Sequence, residues 1–198
     1  VAHAKGDFYV LMNNDIEVLQ ENWMEQMLSN CERKEVGIVG ARLYYPDNTI
    51  QHAGLVIGIG GSLRGIGANL YQGMRRERSG YLHRAAFQMN YSAVTAALMM
   101  VKKEVYEKAG GFEEELSVAF NDVDFCLRVK NMGYLIVYDP LVEAYHYESK
   151  SRGAEDSPEK VARFQSEIEF MRNRWENLLK KGDPNYNIHF SRVRADYS

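Results

Sequence analysis

Two cysteines and four prolines in 198 residues are too few for a disulfide-built scaffold or a proline-rich linker. Cys31 and Cys126 stand far apart, in neither a Cys-x-x-Cys nor a metal-ligand spacing, and read as buried free thiols in a reducing compartment. An excess of basic charge is also missing. The 24 Lys and Arg against 27 Asp and Glu leave a formal net charge of −3, which provides no overall field toward nucleic acid. No run of about 18 apolar residues occurs and no signal-peptide pattern opens the chain, so a soluble protein, or a soluble part of one, is expected. What the chain does have is 45% hydrophobic residues, enough to bury the core of one ordinary domain.

The opening VAHAKG reads as the last turn of a helix, with Lys5 at the negative end of the dipole and Gly6 as the left-handed residue after it, so the chain is expected to begin inside a domain. DFYVLM (7–12) has the length and apolar character of a strand buried on both faces. Apolar residues at 23, 24, 27, 28 and 31 predict a helix over 21–33. VGIVGARLYY (36–45) is a strand, PDNT (46–49) a turn, and IQHAGLVIGIG continues extended. Residues 58–80, rich in Gly and Arg, read as a mobile loop whose glycines fit neither GxGxxG nor a P-loop. YSAVTAALMMVKK (91–103) predicts a strand, KEVYEKAGGF a short helix stopped by two glycines, and 122–132 an amphipathic helix ended by Gly133. YLIVYDP and LVEAYHY follow as two strands. Ser157 then caps a long helix, about 157–181, with Pro158 at its first position, and an irregular tail covers 182–198. Strands alternating with helices argue an α/β fold, a sheet covered by helices on both faces.

Three polar clusters stand at element ends. Asn13-Asn14-Asp15 follows the first strand, where open α/β sheets collect ligands. Asp15 could hold a divalent cation, and the segment could equally be a turn and helix cap, since Asn and Asp bond their own backbone well. Asn121 or Asp122 opens a helix with Asp124 two residues on; at about 200° apart the two carboxylates cannot share one task. Asp124 has Arg128 at i+4, worth roughly 0.3–0.5 kcal/mol as an exposed pair. Asp122 could complement the helix dipole, or serve as a general base aimed into a cleft. His146 ends a strand and is followed by ESKSRG, a cationic segment suited to phosphate oxygens or simply a charged surface loop. His52 and His83 have no comparable neighbours and take no role.

Taken in order, GDFYVLMNND, VTAALMMVKKEVYEKAGGFEE, FNDVDFCLRVKNMGY and HYESKSRG resemble glycosyltransferase family 2, inverting sugar transferases of GT-A fold, and in particular its bacterial rhamnosyltransferase-like branch. The resemblance runs over nearly the whole chain, down to GDPNYN and the terminal DYS. It implies the C-terminal, acceptor- and metal-side part (1–198) of one catalytic domain, a mixed sheet flanked by helices that lacks the N-terminal nucleotide-binding half. By this resemblance Asn13-Asn14-Asp15 is a relaxed DxD motif, and Asp15 with His146 holds the Mn²⁺ or Mg²⁺ that bridges the donor diphosphate; an imidazole beside a carboxylate suits Mn²⁺ better. Asp122 is implied as base for the acceptor hydroxyl, in a pair with Asn121 that is Glu-Asp elsewhere. Ser149, Ser151 and Arg152 are implied to lie against the diphosphate, with Asn13 and Asn14 on the donor side. Thr95, Ala96, Asn121 and Asp124 fall on the acceptor side. Ala96 stands where a Gly is common, and Asn13 and Asn121 where acids are common.

The implied partners are a nucleotide-diphosphate sugar donor and a glycan or lipid-linked saccharide acceptor, with no nucleic acid. The implied setting is cytoplasmic, at or near the inner face of the membrane, with peripheral association of the parent protein. A missing half also implies an apolar face exposed to self-association, and an isolated chain that is inactive. A rival from another class is a carbohydrate-binding or scaffold module that keeps the fold without the chemistry. A third is a nucleotidyltransferase, whose phosphate site needs a Gly/Arg-rich N-terminal loop.

Overall fold

Apolar residues fill both phases of the central strands, and their alternation decides the layers. The computed structural model describes residues 1, 3–60, 65–147 and 157–198. Its elements are β1 (Phe8–Met12), β2 (Ile16–Val18), α1 (Trp23–Cys31), β3 (Val36–Tyr44), β4 (Ile50–His52), β5 (Leu55–Ile57), β6 (Gly67–Asn69), an irregular 3₁₀ segment (Tyr81–Ala86), β7 (Met89–Tyr91), β8 (Leu98–Lys102), α2 (Lys103–Ala109), α3 (Asn121–Asn131), β9 (Leu135–His146) and α4 (Pro158–Lys181). The main sheet has the order β1-β8-β3-β9-β2, with β4 beside β3 and β7 beside β9; β5 and β6 form a separate hairpin. β8 is antiparallel to both β1 and β3, whereas β3 and β9 run parallel. The architecture is thus a mixed α/β sheet with helices on both faces.

Successive residues of β8 go to opposite cores. Leu98 and Met100 pack with Met27 and Cys31 of α1, while Met99 and Val101 pack with Val105, Phe125 and the buried face of α4. β3 and β9 divide in the same way, as strands sandwiched between helices must. Both cysteines are free and buried, and burial pushes the Cys31 thiol up to about 12.

Several expectations need correction. β1 is an edge strand, half-buried, with Met12 46% exposed, because among the described residues it pairs with β8 alone. Among the described residues before β1 no helix is formed and Gly6 lies outside the left-handed region, so the expected helical end is not there; Ala4 N–H donates to the Val1 carbonyl at 2.8 Å. The Gly/Arg-rich stretch contains β6 and contributes Ile66, Leu70 and Tyr71 to the core. The 91–103 run divides, with residues 92–97 forming a connection before β8. The two strands of 134–147 are one, β9, whose ladder with β3 jumps from Asp139 to Glu143 around Pro140, the residue without an N–H to pair. Ser157 does cap α4, its Oγ accepting Lys160 N–H at 3.3 Å.

Asp124 is not on an exposed pair. It is fully buried under α4, accepting from Arg128 Nε at 2.7 Å and from the Trp175 indole at 2.9 Å, with Arg174 Nε 3.5 Å away. Asp124→Ala leaves a half-buried guanidinium and a buried indole N–H without that acceptor. It should therefore cost about 3–5 kcal/mol, the range for breaking a buried pair, in urea unfolding. A loss below about 1 kcal/mol would return this contact to the class of surface pairs.

Candidate functional site

β1, β3 and β9 point the same way and end at Met12, Tyr44 and His146, so one edge of the sheet gathers their carboxyl ends. Asn13 N–H donates to the Ala97 carbonyl at 2.9 Å beside the start of β8. Beyond the turn, Ile16 pairs with His146, and Tyr147 N–H donates to the Asp15 carbonyl at 3.0 Å. The Asn13–Asp15 turn therefore connects the sheet edge at β1 to the end of β9.

That connection places Asp15 Oδ1 3.3 Å from His146 Nε2, with Asn13 Nδ2 3.2 Å from the same nitrogen. On the other side of the ring, His146 Nδ1 lies 2.7 Å from Gln51 Oε1. A carbonyl oxygen there calls for a proton on Nδ1, which leaves the Nε2 lone pair toward Asn13 and Asp15. Among the described residues Asp15 Oδ1 is buried with no hydrogen-bond partner. A carboxylate oxygen and an imidazole lone pair at this distance, with the far ring nitrogen fixed by a carbonyl, form a donor set that a divalent cation fits. Carboxylate with imidazole favours Mn²⁺ over Mg²⁺. Among the described residues no group of three or more His, Cys, Asp or Glu could hold a metal, so these two ligands leave the remaining positions to water or phosphate oxygens. Asn14 is exposed beside them. Ser149, Ser151 and Arg152 lie outside the described residues.

The second cluster is built on the 92–97 connection, which crosses β3 at Gly40: a Cβ there would stand 2.5 Å from Val94 Cβ. Asp122, at the first turn of α3, accepts Ala96 N–H on Oδ2 at 3.2 Å and Val123 N–H on Oδ1 at 2.8 Å. Burial pushes the Asp122 carboxyl up, against the pull of these two amides and the Thr95 hydroxyl. Asn121 Oδ1 accepts the Asp122 N–H at 2.7 Å. Thr95 N–H donates to His52 Nε2 at 3.3 Å, and His52 Nδ1 lies 2.7 Å from Asn69 Oδ1. The backbone donor assigns the lone pair to Nε2 and the proton to Nδ1. Three consecutive residues, Thr95, Ala96 and Ala97, thus tie His52, Asp122 and Asn13 together.

The structure brings Asn13, Asp15 and His146 together, and Asp122 with Asn121, Thr95 and Ala96. Asp124 faces away, toward α4. Gln51 and His52 were missed: adjacent strand residues project to opposite sides, so they serve different partners and leave no spacing motif. A recess of about 500 Å³ lined by Asp7, Phe8, Lys102 and Glu107 lies at the opposite end of β1 and takes no part in this site.

No family model matches the chain. It is 47% identical over 198 residues to an uncharacterized protein, y4gI, of Sinorhizobium fredii, covering 100% of this chain and 21% of that protein. It is 34% identical over 193 residues to the O-antigen biosynthesis protein RfbC of Myxococcus xanthus, covering 98% of this chain and 14% of that protein. The chain thus spans about a fifth and a seventh of these relatives' lengths. More distantly, 81 residues are 27% identical to the N-acetylglucosaminyl-diphospho-decaprenol L-rhamnosyltransferase of Mycobacterium tuberculosis, covering 41% of this chain and 26% of that protein. Among solved structures, GalNAc-T7 with UDP, GalNAc and Mn²⁺ aligns with a TM-score of 0.58 at 11% identity, over 88% of this chain and 33% of that one. That likeness concerns the fold: the mixed α/β sheet with flanking helices is similar to the GT-A fold of GalNAc-T7. Among the described residues no helix is long and apolar enough to cross a membrane.

His52 gives the site a pH signature. Burial lowers it from 6.5 to about 4, with Asn69 opposing and His146 adding to the shift. The unfolded chain takes up this proton near pH 6.5 and the folded chain only near pH 4. The associated stability is therefore full above 6.5 and lost as pH falls through that window, on the order of 3 kcal/mol. Asp122, raised, works in the opposite sense, losing stability as pH rises above the ordinary carboxylate range. His52→Gln should therefore flatten the fall in urea-unfolding free energy between pH 6.5 and 4. Identical slopes in the two proteins would show that His52 does not carry it.

Proposed function

We propose that this chain carries the metal- and acceptor-side machinery of an inverting glycosyltransferase of family 2, in the rhamnosyltransferase-like branch. In this reading it moves a sugar from a nucleoside diphosphate donor to an acceptor hydroxyl in polysaccharide or cell-surface glycan synthesis. The observation that carries the reading is that one segment, 95–97, bonds both Asp122 and Asn13, the neighbour of the Asp15–His146 pair. The GT-A-like fold and the distant relationship to RfbC and the mycobacterial rhamnosyltransferase support it.

Asp15 Oδ1 and His146 Nε2 would hold Mn²⁺ or Mg²⁺, which supplies positive charge to the donor diphosphate as the sugar leaves. Gln51 keeps the His146 lone pair directed at that position. Asn13 and Asn14 present amides to the donor, and Ser149, Ser151 and Arg152 add hydroxyls and a guanidinium for diphosphate oxygens. Asp122 takes the acceptor hydroxyl proton. Its raised affinity for protons brings it nearer the working pH of a base, and Ala96 N–H fixes one of its oxygens. The freed oxygen attacks the anomeric carbon opposite the leaving diphosphate, so configuration inverts.

A second reading, a scaffold or carbohydrate-binding module without chemistry, draws on the two-residue ligand set and the amides at positions 13 and 121. Calorimetry of donor binding with and without Mn²⁺ separates them, since a scaffold shows no metal dependence. The function itself is tested by Asp122→Asn in the full-length protein. It should lower kcat at least ~10²-fold while donor binding survives, and unchanged turnover would remove Asp122 from the role. The 198-residue chain alone should show negligible transfer and should self-associate through the open edge of β1. A strictly monomeric chain by light scattering that turns over a nucleotide sugar would sink both claims.

A further inference from the structure

We infer that Glu167, on α4, is a positioning residue for Asp122: its buried carboxylate holds the turn at 117–119 from which α3 starts. Glu167 is 1% exposed, and the donors found for it come from that turn. Oε1 accepts Val118 N–H at 2.9 Å and Ser117 Oγ at 3.3 Å, and Oε2 accepts Ala119 N–H at 3.0 Å. A carboxyl group this deep is retained where its oxygens are hydrogen-bonded, and here the three bonds serve a segment with no secondary structure of its own.

The start of α3 needs outside support. Its N-cap is Phe120, in the left-handed region at φ 64°, with no side-chain cap bond. A bulky residue in that conformation is strained and persists only where its surroundings impose it. Glu167 supplies the preceding backbone contacts, and Phe164, one turn earlier on α4, stacks on Phe120 with ring centres 5.7 Å apart. The next two residues are Asn121 and Asp122. A small displacement of the turn would swing the Asp122 carboxylate off Ala96 N–H, since both follow from where the helix begins. α4 fixes α3 again at Asp124 through Trp175 and Arg174, but that contact sets the helix body and not its first residue.

The role assigned to Glu167 rests on Asp122 being the base, so the test has two arms. Hydrogen-exchange mass spectrometry on the intact protein reads the peptide carrying Ala96 N–H against the β3–β8 ladder. Glu167→Gln removes the charge and one of the two carbonyl-type acceptors, and should speed exchange at Ala96 at least ~10-fold while the ladder keeps its wild-type rate. An unchanged Ala96, or an equal acceleration everywhere, would overturn the inference. Should that variant fail to fold, Glu167→Asp, which keeps the charge and shortens the reach, is read by the same criterion. In the transfer assay Glu167→Gln should lower kcat with the donor KM unchanged; a change confined to KM counts against positioning. If the wild-type protein transfers no sugar, the proposed function fails, while the exchange arm still decides whether Glu167 holds Asp122 in place.

Discussion

Ile16 faces His146 in the antiparallel ladder of β2 and β9, and the candidate metal site follows from that register. Side chains alternate across a strand, so a slip of one residue would turn His146 to the other face and leave Asp15 without the imidazole. Three residues of β2 are too short to hold register through their own ladder. The register is secured at both ends instead. Tyr147 N–H reaches the Asp15 carbonyl, and Leu19 N–H reaches the Glu143 carbonyl at 3.0 Å. Gln20 closes the far end with a two-way bond, its amide donating to Glu143 Oε2 while its carbonyl oxygen accepts the Glu143 N–H. Glu143 is held in turn by the Tyr44 hydroxyl and lies 3.6 Å from Arg76, which sits over the Tyr44 ring. The polar contacts around β2 thus serve the placement of one histidine.

The same device recurs deeper in the fold. Asp139 Oδ2 gathers the amides of Gln26 and Asn30 from α1 and of Gln88 from the approach to β7. Asp183 accepts Ile57 N–H, Ser92 Oγ and Asn185 N–H, fastening the tail after α4 to the β5–β6 hairpin and to the segment leading into residues 93–97. Glu167 and Asp124 do the same for the two ends of the α3–α4 contact. Each buried carboxylate joins segments that lie far apart in sequence, and each has at least two hydrogen-bond donors. A carboxylate buried on such terms is satisfied by donors that also need partners: backbone and side-chain amides, hydroxyls, an indole and a guanidinium.

Helices were the most legible elements, since their signals are local: the apolar stripe of 23–31, Gly110 in the left-handed region after α2, and Ser157-Pro158 at the start of α4. The edge position of β1 was not legible, because DFYVLM reads the same whether one neighbour or two lie beside it. Pro140 obscured the continuity of β9, which depends on its partner β3 to carry the ladder across the bulge. At the site, Asp15, His146 and Asp122 stood out as acids or imidazoles at element ends. Gln51, His52 and Glu167 did not, since each acts through a partner tens of residues away that no periodicity marks. Asp124 misled because an i,i+4 pair with Arg128 looks the same on a surface as beneath another helix.

Three positions that differ from the pattern of the resembled family, 13, 96 and 121, look different in the structure. At position 96 the structure uses the backbone N–H, on Asp122 Oδ2, and an alanine supplies that as well as a glycine does. At position 121 the side-chain oxygen accepts the Asp122 N–H, which an amide oxygen performs without placing a second negative charge beside an already raised carboxyl. Position 13 is different. There the amide nitrogen faces the His146 lone pair, the same electrons a cation at Asp15 Oδ1 would use. A cation and the Asn13 N–H cannot both occupy that lone pair, so metal capture requires Asn13 to rotate or to present its carbonyl oxygen instead. An aspartate in that place would face the imidazole with oxygen from the outset. Under the proposed function, the asparagine would occupy the ligand nitrogen until a cation displaced it. Of the three positions, this is the one whose present hydrogen bond competes directly with the metal binding proposed for the site.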